Sequence, residues 1–147
     1  MIRALLCALL LLNAPLLLAQ QVSPQRFGDL LVYHTTFNSS YLQPDIAANT
    51  GLIRGPRHGV LNLAIQQDTD NGPVAVDALL NGSVTNLLGQ KTPLDFIRVQ
   101  EGEAVYFVAN YTATQRGLLR FEVEFRRSAS AAPQTVRFQQ EFFPDDQ

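Results

Sequence analysis

Alternation of apolar and polar residues predicts a protein built almost entirely from short β-strands. The clearest example is residues 119–126, where every second residue is apolar and the residues between them are charged. A period of two places these two sets on opposite faces of a strand, one buried and one in water. The predicted strands are residues 27–38, 60–65, 74–88, 94–99, 104–111, 119–126 and 136–142.

Seven short strands separated by turn residues are typical of a two-sheet sandwich of the immunoglobulin-like kind. We therefore predict an all-β fold of about seven strands, with a small β-barrel as the alternative. Residues 104–111 carry apolar side chains on both faces, which favours a central position in a sheet.

The first two strands are joined by a stretch with its own organisation. Residues 38–40 break the alternation with side chains that bond to their own backbone. Residues 44–49 then form one short helix, which starts at Pro44 and stops at Gly51. We expect its turns to plug one end of the sandwich. We also expect the two corners beside it, residues 38–41 and 54–58, to lie close together.

The N-terminal segment differs from the rest of the chain. Residues 1–19 combine Arg3 with an apolar run that Asn13 and Pro15 interrupt, which is the layout of a cleavable signal peptide. The run is too short for a spanning helix, so we predict export through a cleavable leader with no transmembrane segment in the mature protein. An uncleaved amphipathic anchor is the alternative. Residues 20–26 are predicted to be a flexible lead-in, residues 27–144 a single domain and residues 145–147 an acidic tail.

Composition excludes several classes of function. Eleven basic residues against thirteen acidic ones give a formal charge of −2, which argues against a nucleic-acid binder. The only cysteine, Cys7, lies in the predicted leader, so the mature protein has no disulfide, thiolate nucleophile or cysteine metal site. No nucleophile elbow, phosphate loop or dinucleotide fingerprint occurs. We therefore predict a protein that is not an enzyme and has no cofactor.

Metal binding is weakly supported by the sequence. The chain has two histidines, His34 and His58, whereas zinc sites usually need three or four ligands. His34 lies within a predicted strand, which favours a packed position. Residues 68–72 faintly resemble a calcium loop, but the spacing is wrong and the closing glutamate is missing, so we interpret them as a hairpin loop.

One corner offers a candidate site. Arg54, Arg57 and His58 are close in sequence, and the planar arginine fork suits a carboxylate or another small anion. Asn38 and Tyr41, from the first corner, complete this speculative site. The alternative interpretation is a solvated corner whose arginines pair with carboxylates of the strands.

Five segments in order resemble the small exported bacterial proteins called domain of unknown function 4426. They are residues 37–47, 51–54, 60–65, 85–90 and 138–144. The resemblance covers residues 27–144 and implies a Gram-negative bacterium and a periplasmic location. The family has no established activity, so the resemblance assigns no catalytic or binding residue.

Two functions remain open. The first is a non-enzymatic module that binds a periplasmic protein or an envelope component at a sheet edge or at the two corners. The second is a binder of a small anion or carboxylate that uses the 54–58 corner.

Overall fold

The alternating segments form ten strands in the computed structural model, which describes residues 23–145. A 3₁₀ turn (Ser39–Tyr41) and one helix, α1 (Pro44–Thr50), lie between the second and third strands. The strands are β1 (Gln25–Phe27), β2 (Leu30–Asn38), β3 (His58–Gln67), β4 (Val74–Ala75), β5 (Leu79–Thr85), β6 (Lys91–Leu94), β7 (Ile97–Glu101), β8 (Ala104–Thr112), β9 (Gly117–Arg126) and β10 (Gln134–Phe142).

The strands form two antiparallel sheets that pack face to face. Sheet A has the order β1-β2-β3-β8-β7, with the short β4 added to β3, and sheet B has the order β10-β9-β5-β6. This architecture confirms the predicted β-sandwich, and neither sheet closes into a barrel within the described residues. Strand β8 lies between β3 and β7, as its two apolar faces predict.

Three predicted strands are each divided in two. Gly28, with a φ of 62°, turns the chain between β1 and β2. The predicted strand 74–88 becomes β4 in sheet A and β5 in sheet B, and residues 91–101 cross back from β6 to β7. Periodicity cannot reveal these crossings, because a strand keeps the same alternation whichever sheet it joins.

The predicted lead-in is wrong in its last two residues. Gln25 and Arg26 belong to β1 and pair with Val32 and Leu31 of β2. The side-chain amide of Gln25 also donates a hydrogen bond of 3.0 Å to the Arg137 carbonyl of β10. This bond joins the edges of the two sheets, so the domain begins before residue 27.

The core lies between the sheets and comes from alternate residues of both. The completely buried side chains include Val32, Leu61, Leu63 and Ile65 from sheet A and Val123 and Val136 from sheet B. Strand β9 turns its apolar residues to the core, while Arg120 and Glu122 lie in water. Each large apolar side chain buried in this way contributes about 1.5–3 kcal/mol to folding.

One aromatic side chain closes the core at the end where β8 finishes. The Tyr111 ring lies edge-on to Phe121 at 5.1 Å and to Phe142 at 6.2 Å, measured between ring centroids. It also lies so close to Gly59 that a Cβ there would be 2.1 Å from the Tyr111 Cζ. Burial raises the pKa of Tyr111 to about 12, although a hydrogen bond with Thr36 opposes that shift.

We predict that Gly59→Ala lowers the free energy of unfolding by about 1–3 kcal/mol or more, because the new methyl group overlaps a buried ring. Urea denaturation followed by far-UV circular dichroism measures the change. Gly117→Ala is the matched control, because a Cβ at that strand position meets its nearest side chain only at 4.0 Å. Equal stability of the two variants would contradict the packing described here.

Candidate functional site

One end of the sandwich gathers both corners that the sequence singles out. Strands β2, β8 and β10 finish at this end, and β3, β6 and β9 begin there. The end also carries the β5–β6 hairpin tip (residues 86–90) and the β8–β9 loop (residues 113–116). We call these segments, together with residues 38–58, the corner end.

The two corners lie against each other, as expected. The buried hydroxyl of Ser39 donates to the Gly55 carbonyl at 3.1 Å and accepts from the Gly55 amide at 3.0 Å. The guanidinium of Arg54 donates to the Ser40 carbonyl at 3.0 Å. These bonds fix both corners into one rigid unit.

The segment between the corners is attached to the outer surface of sheet A. Helix α1 has Pro44 in its first turn and ends at Gly51, whose φ is 77°. Just beyond it, the Asn110 side chain accepts from the Ile53 amide at 2.7 Å and donates to the Ile53 carbonyl at 3.2 Å. Asn110 faces away from the core, because its neighbours Ala109 and Tyr111 are core residues. The expected plug is therefore wrong: this segment is fixed outside the sheets, and Tyr111 closes the core.

The five predicted site residues have different surroundings. Asn38 donates to the Phe143 carbonyl at 2.7 Å and to Asp145 Oδ1 at 2.8 Å, so its amide holds the C-terminal segment. Tyr41 is 79% exposed. Through the bond with Ser40 described above, Arg54 reaches the first corner.

Arg57 and His58 make their contacts on the β8 side of the corner end. The carbonyl of Arg57 accepts from the Ala113 amide at 2.9 Å, and its side chain is exposed. His58 Nδ1 lies 3.4 Å from the hydroxyl of Thr112. The five residues thus share one end of the molecule, where Arg54 joins the first corner and Arg57 and His58 join the β8–β9 connection.

The C-terminal residue of the described chain is held in place rather than loose. Asp145 accepts hydrogen bonds from the Ser40 hydroxyl and the Asn38 amide. Both bonds lower the pKa of the Asp145 carboxyl, and the bond from Ser40 makes the larger contribution. Residue 145 of the predicted acidic tail is thus held by two side chains of the first corner, which bind its carboxylate. Residues 146–147 lie outside the described range.

Exposed isoleucine and leucine side chains are the feature of this end that the sequence interpretation missed. Within residues 23–145, eight large hydrophobic side chains are exposed, and six of them lie at the corner end. The six are Tyr41, Ile46, Ile53, Leu87, Leu88 and Phe143. Leu87 and Leu88 were assigned to a strand, but Asn86 and Gly89 place them in the hairpin turn. The Asn-x-x-Gly spacing was the available signal.

The outer face of sheet B carries a shallow groove of about 490 Å³. Its walls come from β5, β9 and β10, and Lys91 and Arg120 stand on either side of Thr85 in one cross-strand row. None of the five predicted site residues lines it. In the next row Arg137 pairs with Glu122 at 3.1 Å.

The histidines do not form a metal site in the described chain. His34 stacks on Phe138 with ring centroids 3.8 Å apart, and burial lowers its pKa. His34 is thus a packed residue, as predicted. No group of three or more His, Cys, Asp or Glu residues between positions 23 and 145 is arranged to hold a metal ion. Over the same range, no helix is long and apolar enough to cross a membrane.

The family model described as domain of unknown function (DUF4426) matches residues 24–145. The chain belongs to this family. A crystal structure of a DUF4426 family protein from Pseudomonas aeruginosa is 39% identical, with a TM-score of 0.72, and the match covers 84% of this chain and 96% of that one. The resemblance noted from the sequence is therefore confirmed. No curated protein matches the sequence significantly.

DUF4426 shares its fold with FetP of uropathogenic Escherichia coli strain F11. FetP expressed in the periplasm has a TM-score of 0.63 and 11% identity, over 84% of this chain and 95% of FetP. A copper-bound variant of FetP has a TM-score of 0.61 and 10% identity, over 83% of this chain and 95% of the variant. At these identities the similarity establishes the fold alone.

We predict that the Asp145 contacts make the stability of the corner end depend on acid. Because the folded pKa is lowered, this contribution is complete above the ordinary aspartate pKa of about 3.9 and is lost as the pH falls below it. Wild-type protein should lose amide-exchange protection near residues 142–145 over that range. Asp145→Asn should show weaker protection that no longer depends on pH.

Asp70→Asn is the matched control, since Asp70 lies at the opposite end and forms no side-chain hydrogen bond among the described residues. Mass spectrometry of exchanged peptides provides the measurement. A wild-type profile without pH dependence would refute the role given to Asp145.

Proposed function

We propose that this DUF4426 protein is a non-enzymatic binding module of the bacterial periplasm that contacts an envelope component through its corner end. The observation that carries the proposal is the concentration of six of the eight exposed large hydrophobic side chains at that end. Large exposed apolar patches on soluble proteins commonly mark interaction sites. The corner end is also rigid, which lowers the entropy cost of association.

Two observations support the periplasmic part of the proposal. FetP, which shares the fold, was expressed in the periplasm. The leader predicted for residues 1–19 directs export, although it lies outside the described residues. The copper of the FetP variant has no counterpart in our proposal, because the described residues offer no set of three ligands of the kind His, Cys, Asp or Glu.

Site-specific photo-crosslinking in the host cell tests the proposal. We expect a photoreactive amino acid at position 88 to give covalent adducts, because Leu88 is 82% exposed at the corner end. The matched control is position 74, since Val74 is exposed at the opposite end. Adducts at both positions, or at neither, would count decisively against a contact through the corner end.

A second candidate function uses Arg54 and Arg57 to bind a small anion or carboxylate. It is favoured by one observation: within the described chain neither guanidinium takes part in an ion pair. Arginine forks without an ion-pair partner offer bidentate donors to a carboxylate or phosphate, although the Arg54 fork already donates one hydrogen bond to the Ser40 carbonyl. His58 follows them directly in the chain.

For this second function we expect at least one anion in a thermal-shift panel to raise the melting temperature of the wild type. The double variant Arg54→Ala, Arg57→Ala should abolish that rise, because both forks are removed. Arg26→Ala is the control, since Arg26 forms an exposed pair with Asp68 at the opposite end. If no anion in the panel stabilises the wild type, the second function is refuted.

A further inference from the structure

The turn of the β5–β6 hairpin is held by hydrogen bonds and exposes two leucine side chains to solvent. Leu87 is 67% exposed and Leu88 is 82% exposed. The Asn86 side-chain oxygen accepts from the amides of Leu88 and Gln90, both at 3.0 Å. The Asn86 amide donates to the Gln90 carbonyl at 3.1 Å, and Gly89 completes the turn with a φ of 80°. The leucines therefore project from a fixed support.

This composition is unusual for a hairpin tip. Turns are dominated by Gly, Asn, Asp, Ser and Pro, because those residues satisfy the backbone or accept its conformation. Here Asn86 and Gly89 meet both needs, and the two positions between them carry large apolar side chains. The turn itself does not require leucine, which favours a role for the two leucines in a contact made outside the chain.

Other apolar and basic groups lie at the same end of the molecule as the hairpin tip. Leu87 lies near Gly117 at the start of β9, because a Cβ at Gly117 would be 4.0 Å from Leu87 Cδ1. Arg116 directly precedes Gly117 in the sequence. The Arg116 guanidinium lies 4.5 Å from the centre of the half-exposed Phe143 ring. Lys91 stands at the base of the hairpin, in one row with Arg120.

Charge is distributed unequally between the two ends of the sandwich. In the described chain the corner end has five basic and three acidic residues, and the rest of residues 23–145 has five basic and nine acidic ones. At the corner end the basic residues are Arg54, Arg57, Lys91, Arg116 and Arg120, and the acidic ones are Asp45, Glu141 and Asp145. Two of those acids are already bonded: Glu141 forms an ion pair with Arg116, and Asp145 accepts from Ser40 and Asn38. The pair with Glu141 takes up the charge of Arg116, so four unpaired basic residues remain at this end within the described chain.

We infer that the corner end docks on a bilayer surface that contains anionic phospholipid. Leu87 and Leu88 enter the boundary between headgroups and acyl chains, and Arg57 and Lys91 contact the phosphates. Apolar side chains ringed by Lys and Arg are the composition that binds such surfaces, because burial and electrostatic attraction act together. An anionic surface repels the acidic residues of the opposite end, and this repulsion also favours an orientation with the corner end towards the bilayer. This inference rests on the proposed function and names its envelope component.

Vesicle flotation tests the inference with protein purified after export, its N-terminus determined by mass spectrometry. The probes are vesicles of phosphatidylcholine alone and vesicles that also contain phosphatidylglycerol. We expect binding to the second kind, weakened by salt because the charge attraction is screened. Leu87→Ser with Leu88→Ser should weaken binding by about tenfold or more, since the apolar contact is removed.

Val74→Ser with Leu79→Ser is the matched control, because both side chains are exposed at the opposite end and should not affect binding. Arg57→Gln with Lys91→Gln should remove the preference for phosphatidylglycerol. Far-UV circular dichroism establishes that each variant is folded. A Leu88→Cys variant carrying an environment-sensitive dye should shift to the blue on the charged vesicles, and the same dye at Val74→Cys should not.

Absence of vesicle binding by the wild type would overturn the inference, as would equal binding by the leucine and control variants. The crosslinking experiment separates this failure from failure of the proposed function. Protein adducts at position 88 without vesicle binding would leave the binding module in place with a protein partner. If position 88 yields no adduct and vesicles are not bound, both proposals fail.

Discussion

The close approach of Tyr111 to Gly59 is the constraint on which the corner end depends. The aromatic ring lies where a side chain of β3 would otherwise stand, and from there it reaches Phe121 and Phe142 of the other sheet. Only a residue without a Cβ permits this packing. The two sheets are thereby joined at the point where the corners leave them, so the corners begin from a fixed base.

A second layer of polar contacts builds on that base. Ser39 joins the two corners through the Gly55 peptide, and Asn38 joins the first corner to the C-terminal segment. Buried or half-buried polar groups that find partners make a surface rigid, because each alternative arrangement leaves a donor or acceptor unsatisfied. The exposed apolar side chains of this end therefore do not collapse onto the protein, and they remain available to an external contact.

Local signals in the sequence predicted local structure well. Pro44 and Gly51 bracket α1 as expected, and the alternation of residues 119–126 matches the two faces of β9. The strand crossings between sheets were not predictable, since they depend on which partner edge is free. The exposure of Leu88 was missed because an apolar pair favours a strand unless the turn around it is recognised. The binding of Asp145 joins residues far apart in sequence, which no local pattern reveals.

The hydrogen bond from Gln25 to the Arg137 carbonyl has a consequence for how copies of this protein meet. Strand β10 is the edge of sheet B, and an open edge is a template on which a second chain can add a strand. Gln25 occupies one outward carbonyl of that edge, and Asn38 occupies the Phe143 carbonyl just beyond it. A pairing chain would have to displace both amides, so the edge resists strand addition by a second copy.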